Sequence, residues 1–108
     1  MEYVTVANTA DFTTENKRKI TYEDREILLA KYEGSFYAVD NTCTHMGGSL
    51  YDGKLEGFTI TCPKHGSVYD IRTGEVVERG KIFMIKVKVS PIRKYPVEVD
   101  GAEIKIGI

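Results

Sequence analysis

The two cysteines and two histidines of this 108-residue chain are confined to two short motifs, and these motifs constrain its chemistry more than any other feature. Cys43 and His45 flank a single threonine, and after sixteen intervening residues Cys62 and His65 flank a Pro-Lys pair. Two soft thiolates and two imidazoles form a complete set of four metal ligands. Since no cysteine or histidine remains for a second site, the sequence predicts one metal centre with these four residues as its ligands.

The spacing within the motifs indicates which metal these residues bind. Tetrahedral zinc usually takes its local pairs from C-x2-4-C or H-x3-5-H loops, because the backbone needs that length to bring two side chains onto one ion. The one-residue gap between Cys43 and His45 is too short for such a pair. It suits ligands of two adjacent metals, with the cysteine on one iron and the histidine on the other, as in a Rieske [2Fe-2S] centre. Zinc, a disulfide between Cys43 and Cys62, and unliganded residues are the alternatives.

The residues around both motifs resemble those of the Rieske ferredoxin family. The stretch C-T-H-M-G-G-S-L begins at Cys43, and C-P-K-H-G-S-V-Y-D begins at Cys62. Together with the T-G-E that follows, they look like the family's two cluster-binding loops and the turn after them. Residues 95–106, Y-P-V-E-V-D-G-A-E-I-K-I, are similar to its closing hairpin. The resemblance therefore covers most of the chain.

This resemblance implies a role for each residue of the two loops. Cys43 and Cys62 would bind the inner iron, and His45 and His65 would bind the outer iron near the surface, where the electron leaves. The family's loop backbones also pass close to the inorganic sulfides, and two hydroxyls donate to a sulfide and to a cysteine sulfur. The residues that match these further contacts are Gly47, Gly48, Gly66, Ser67 and Tyr69.

Simpler roles are possible for the same residues. The three glycines could be ordinary turn residues. Ser67 could be a turn residue as well, and Tyr69 a half-buried aromatic residue of a strand.

The chain departs from the family at two places. Respiratory-chain members carry one further cysteine in each loop, joined by a disulfide, and the matching positions here are Gly48 and Lys64. The missing disulfide is typical of the ferredoxins that serve bacterial oxygenases. Those ferredoxins also have a short proline-containing loop after the turn at Thr73 and Gly74. Here the strand-like residues 81–89 come before Pro91. In those ferredoxins the proline-containing loop forms a third wall of the cluster site, beside the two cluster-binding loops, and we expect the inserted residues to alter this wall.

Short strand patterns separated by glycine turns predict an all-β fold. The segments on either side of Glu33-Gly34 and of Asp100-Gly101 each predict a hairpin. In residues 85–89 apolar residues alternate with lysines, which predicts a half-buried strand. A helical turn is expected only within residues 8–16.

The length of the chain predicts a single domain over residues 1–108. We expect a small antiparallel β sandwich or barrel with an inserted cluster-binding subdomain at about residues 43–70. The net charge of −1 provides no basic surface for nucleic acid. There is no leader-like segment and no apolar run near the ~20 residues of a membrane span. We therefore expect a cytoplasmic protein, in a compartment where cysteines stay reduced.

The ligand charges predict the function. Two thiolates and two neutral imidazoles leave an oxidised [2Fe-2S] core about neutral, whereas four thiolates leave it about two charges more negative, so histidine ligation favours the addition of an electron. The sequence thus predicts a one-electron carrier that is not an enzyme. A mononuclear oxygenase iron needs two further histidines and a carboxylate. The resemblance implies a reductase as the donor and an oxygenase or other redox enzyme as the acceptor. The alternative is a structural or regulatory metal-binding module, possibly with zinc, or a small subunit of a larger oxidoreductase.

Overall fold

Two antiparallel sheets form a β sandwich from the two terminal parts of the chain. The computed structural model describes residues 1–43, 48–64, 66–79, 81–82, 85–86 and 89–108. The sandwich strands are β1 Tyr3–Asn8, β2 Lys17–Tyr22, β3 Arg25–Tyr32, β4 Ser35–Asp40, β11 Lys94–Tyr95, β12 Val97–Asp100 and β13 Glu103–Gly107. One sheet has the order β1-β13-β12 and the other β11-β4-β3-β2. The predicted all-β class is confirmed.

Strand β3 connects the core of the sandwich with a second core. Ile27 and Leu29 pack between the two sheets, whereas Leu28 and Ala30 point into the other core. All four side chains are completely buried, which explains why the apolar run of this strand is continuous rather than alternating. Burial of a leucine or isoleucine side chain contributes about 2 kcal/mol, so this strand anchors both halves of the molecule.

A third antiparallel sheet covers the outer face of β3 and β4. Its strands are β5 Lys54–Glu56, β6 Thr59–Thr61, β7 Val68–Asp70 and β8 Val76–Glu78, and they form a meander in that order. Ile60, Tyr69 and Ile71 of this region pack on Leu28 in the second core. The small sheet continues past Asp70, since Tyr69 pairs with Val76. This sheet is the inserted part that the sequence predicted beside the sandwich.

The predicted turns are found. Glu33 and Gly34 have φ values of 49° and 81° and join β3 to β4, and Gly101 has a φ of 61° between β12 and β13. Such left-handed residues match the right-handed twist of a hairpin. The expected helical turn is the 3-10 segment Thr9–Phe12, capped by the side chain of Asn8. A second 3-10 turn, Leu50–Asp52, was not predicted.

The segment after the small sheet differs from its prediction. Strands β9 Lys81–Ile82 and β10 Ile85–Lys86 pair with each other as a short hairpin. Val89 is not in a strand, so the extent predicted for the strand over residues 85–89 is wrong, while Val87 and Lys88 lie outside the described residues. Pro91 follows closely, and it cannot donate a hydrogen bond to a sheet ladder.

Candidate metal centre

The two cysteines lie at one edge of the second core, each just after a strand. Cys43 follows β4 and Cys62 follows β6, and their side chains are 3% and 1% exposed. Neither cysteine is in a disulfide, so the disulfide that the sequence left open is not formed. Two buried cysteine sulfurs fit a group that binds thiolates and is shielded from water. The donor set therefore agrees with a thiolate-bound iron centre.

Backbone hydrogen bonds close the loop that follows each cysteine. In the first loop, the N–H of Cys43 donates to the carbonyl of Gly48 at 2.8 Å. In the second, the N–H of Cys62 donates to the carbonyl of Ser67 at 2.7 Å, and the N–H of Gly66 donates back to Cys62 at 3.1 Å. Gly66 has a φ of +79°, a conformation that glycine adopts without steric cost. In both loops, these hydrogen bonds hold together the described residues at the base.

The two loops meet at Gly48. A Cβ atom added at this position would lie 3.2 Å from the Sγ atom of Cys62. The backbone of the first loop therefore passes directly beside the sulfur of the second loop. This proximity agrees with the expectation that Gly48 lies next to the metal group, and it explains why a residue without a side chain is favoured there.

Tyr69 places a hydroxyl group next to the other cysteine. Its oxygen lies 3.4 Å from the Sγ atom of Cys43, and the ring is completely buried. Tyr69 is thus not the half-buried strand residue of the simpler interpretation. When Cys43 is a thiolate, it can only accept, so the phenol must be the donor. Ser67 is also buried, with 1% of its surface exposed.

Three further residues belong to the predicted site. His45, Gly47 and His65 lie outside the described residues. The described parts of the chain contain no other group of three or more His, Cys, Asp or Glu side chains that could hold a metal ion. They also contain no helix with the length and apolar character needed to cross a membrane.

A salt bridge after Tyr69 holds the end of strand β7. Arg72 donates from its side chain to both carboxylate oxygens of Asp70, at 3.1 and 2.9 Å, and its backbone N–H donates to the same carboxylate. These bonds keep the pKa of Asp70 below its usual range. The guanidinium group also stacks 3.8 Å from the ring centre of Phe58. The sequence analysis did not identify this pair, although a bidentate Arg–carboxylate contact is a strong type of ion pair.

Lys64 occupies the space beside Gly48. Its Cγ atom would be 2.8 Å from a Cβ atom added at Gly48. These are the two positions at which respiratory-chain Rieske proteins carry their extra cysteines. In a disulfide, the sulfur of one cysteine lies about 3 Å from the Cβ of the other, so the two positions have nearly the separation that a disulfide requires.

We therefore expect the double variant Gly48→Cys/Lys64→Cys to form an intrachain disulfide under oxidising conditions. Mass spectrometry of peptides prepared without reductant would detect the bond. Each single variant is a control, since neither can form this bond. Two freely alkylated thiols in the oxidised double variant would show that the two positions do not face each other.

Comparisons with known proteins indicate the kind of metal centre that this chain carries. The family profile of the Rieske [2Fe-2S] domain matches residues 2–88. The chain is 35% identical, over 89 residues, to the ferredoxin component of a naphthalene 1,2-dioxygenase system from Pseudomonas aeruginosa. That match covers 82% of this chain and 79% of the relative.

Solved structures give the same result for the fold. The ferredoxin of carbazole 1,9a-dioxygenase from Nocardioides aromaticivorans IC177 superposes with a TM-score of 0.81 at 27% identity, covering 98% of this chain and 97% of that one. A chain in a complex of reduced oxygenase and oxidised ferredoxin of carbazole 1,9a-dioxygenase superposes with a TM-score of 0.79, also at 27% identity. That match covers 96% of this chain and 91% of the other.

Proposed function

The chain belongs to the Rieske [2Fe-2S] domain family, and on this basis we propose that Cys43 and Cys62 bind the inner iron while His45 and His65 bind the outer iron. The observation that carries this proposal is the pair of buried cysteines on two loops that meet at Gly48. Gly47, Gly48, Gly66, Ser67 and Tyr69 would line the same site. The C-x-H spacing supports the division of ligands between two irons.

The protein is an electron carrier, and it is not itself the enzyme of its system. When bound, the Rieske cluster accepts and releases one electron, at a potential raised by its histidine ligands to roughly −150 to +300 mV. The residues of the chain provide the environment of the cluster. It buries the two cysteine sulfurs, holds the Tyr69 hydroxyl beside one of them, and keeps the backbone of Gly48 beside the other.

Its partners are redox proteins, and an oxygenase or other redox enzyme receives its electron. We propose that a reductase supplies that electron. We propose that the acceptor is the oxygenase of a dioxygenase system, since these relatives are ferredoxin components of such systems. We also place the protein in the cytoplasm. The two cysteines support this location, because they are not joined in a disulfide and cysteines stay reduced in that compartment.

Metal analysis tests the proposed centre. We expect the purified protein to contain about two irons and two acid-labile sulfides per chain and to show the Rieske electron paramagnetic resonance signal when reduced. Cys62→Ser should abolish the iron content, because the inner iron would lose one of its two thiolates. One zinc per chain without sulfide, in protein from iron-replete cells, would instead support the structural or regulatory metal-binding module.

A further inference from the structure

Lys17 joins the β sandwich to the segment that follows the first loop. Its Nζ atom donates hydrogen bonds to the backbone carbonyls of Tyr51 and Gly53. The same ammonium lies 5.1 Å from the centre of the Tyr51 ring, within range of a cation–π contact. These carbonyls stand at the end of the 3-10 turn Leu50–Asp52, where carbonyl groups lack partners within the turn. Lys17 therefore holds this turn against strand β2.

Asn41 holds the same turn through a second set of hydrogen bonds. It is completely buried. Its backbone carbonyl accepts from the N–H of Leu50 at 2.7 Å, and its side-chain oxygen accepts from the N–H of Tyr51 at 2.8 Å. The Tyr51 N–H can only donate, which assigns the amide oxygen to that side, and the amide nitrogen then faces the hydroxyl of Ser49 at 2.9 Å. The N–H of Asn41 donates to Glu26 of strand β3 at 2.9 Å.

The contacts of Lys17 and Asn41 act on one short segment, residues 49–53, immediately after the first loop. That segment continues directly from Gly48, whose backbone passes beside the sulfur of Cys62 and accepts a hydrogen bond from Cys43. A shift of the segment would thus move Gly48 relative to both cysteines. Because packed backbones transmit small displacements, the two contacts determine how closely the first loop approaches the second.

We propose that Lys17 and Asn41 are positioning residues for the metal centre, which clamp residues 49–53 and thereby set the distance between the two cysteine-bearing loops. The inference rests on the proposed function for the identity of the group held there. It adds two residues outside the C-x-H and C-x2-H motifs to the site. Neither residue needs to touch the cluster for this role.

Three variants of the iron-loaded protein test the clamp. Lys17→Met keeps the aliphatic stem but removes both carbonyl contacts, and Asn41→Ala removes both side-chain contacts. Lys19→Met is the matched control, because Lys19 is exposed and lies on the same face of the same strand. We expect Lys17→Met and Asn41→Ala to release iron to a chelator about tenfold faster, as the loss of one strong hydrogen bond implies, and Lys19→Met to stay within twofold of wild type.

Two further readouts separate positioning from general stabilisation. The reduced clamp variants should give broader resonance lines than Lys19→Met. Their amide hydrogen exchange should increase about tenfold in residues 48–53, while the hairpin of β12 and β13 stays as in wild type. Exchange that rises equally in both regions, or iron release equal to that of Lys19→Met, would overturn the clamp. Wild-type protein without iron would contradict the proposed function, and the exchange comparison would still test the clamp.

Discussion

Replacing Tyr69 with phenylalanine is expected to lower the reduction potential by roughly 60 mV, the equivalent of one hydrogen bond of ~1.5 kcal/mol for a one-electron couple. The Tyr69 hydroxyl lies 3.4 Å from the Cys43 sulfur in a completely buried position. A donor at that place stabilises the added negative charge of the reduced cluster more than the oxidised one. Protein-film voltammetry of both proteins would measure the difference.

A second hydroxyl variant and a control at another tyrosine extend this test. Ser67→Ala should also lower the potential, because Ser67 matches the family's hydroxyl donor to a cluster sulfide and is buried beside Cys62, whose N–H donates to its carbonyl. Tyr95→Phe is the control: Tyr95 is also a buried tyrosine, but it belongs to the core between the sandwich sheets, and its hydroxyl donates to the partly buried carboxylate of Asp40. It should leave the potential unchanged. If Tyr69→Phe and Ser67→Ala behave like Tyr95→Phe with the cluster intact, the two hydroxyls do not control the potential.

The expected potential follows from the same contacts. The chain lacks the disulfide of respiratory-chain members but retains both hydroxyl residues that resemble their donors. Hydrogen bonds to the sulfurs are a recognised control of iron–sulfur potentials. We therefore expect a potential above that of oxygenase-type ferredoxins that lack these hydroxyls.

The features that were predictable from the sequence depend on neighbouring residues. The turn at Glu33 and Gly34 forms because both residues accept a left-handed backbone, which is a local property. The four proposed ligands were recognised by their spacing, which is also local. The position of Tyr69 beside Cys43, 26 residues away, was expected only through the family resemblance.

The features that were missed depend on contacts between distant segments. Strands such as β5 and β6 have three residues each, too short to show an alternating pattern, and they form because they pair within the small sheet. Lys17 contacts backbone atoms 34 and 36 residues away, so nothing adjacent to it in the sequence indicates its role. Asn41 stands two residues before Cys43, and a polar residue at the end of an apolar strand was the available signal.

Gly53 also contacts a distant segment of the chain, and we expect the substitution Gly53→Ala to destabilise the fold strongly. A Cβ atom at this position would lie 1.8 Å from the carbonyl oxygen of Thr61, the residue before Cys62. Since both sides of the clash are backbone, the 3-10 turn and strand β6 must separate, at a cost of at least about 3 kcal/mol. For a domain of this size, that lowers the melting temperature by about 10 °C or more. Thermal unfolding followed by circular dichroism measures this change.

A second glycine-to-alanine substitution, at a position with no neighbouring atoms, serves as the control. It measures what the loss of a glycine costs without a steric clash. Gly101 has a φ of +61° and nothing within 4 Å of an added Cβ, so Gly101→Ala should cost only about 1 kcal/mol for its left-handed backbone. Gly53 has a φ of −86°, which any residue adopts, so its penalty is steric and comes mainly from the contact with Thr61, with a second tight contact at the carbonyl oxygen of Leu50. Because that contact adjoins Cys62, Gly53→Ala should also reduce the iron content, whereas Gly101→Ala should not. Equal melting temperatures and full iron content in both variants would mean that the turn and strand β6 are not in contact at Gly53.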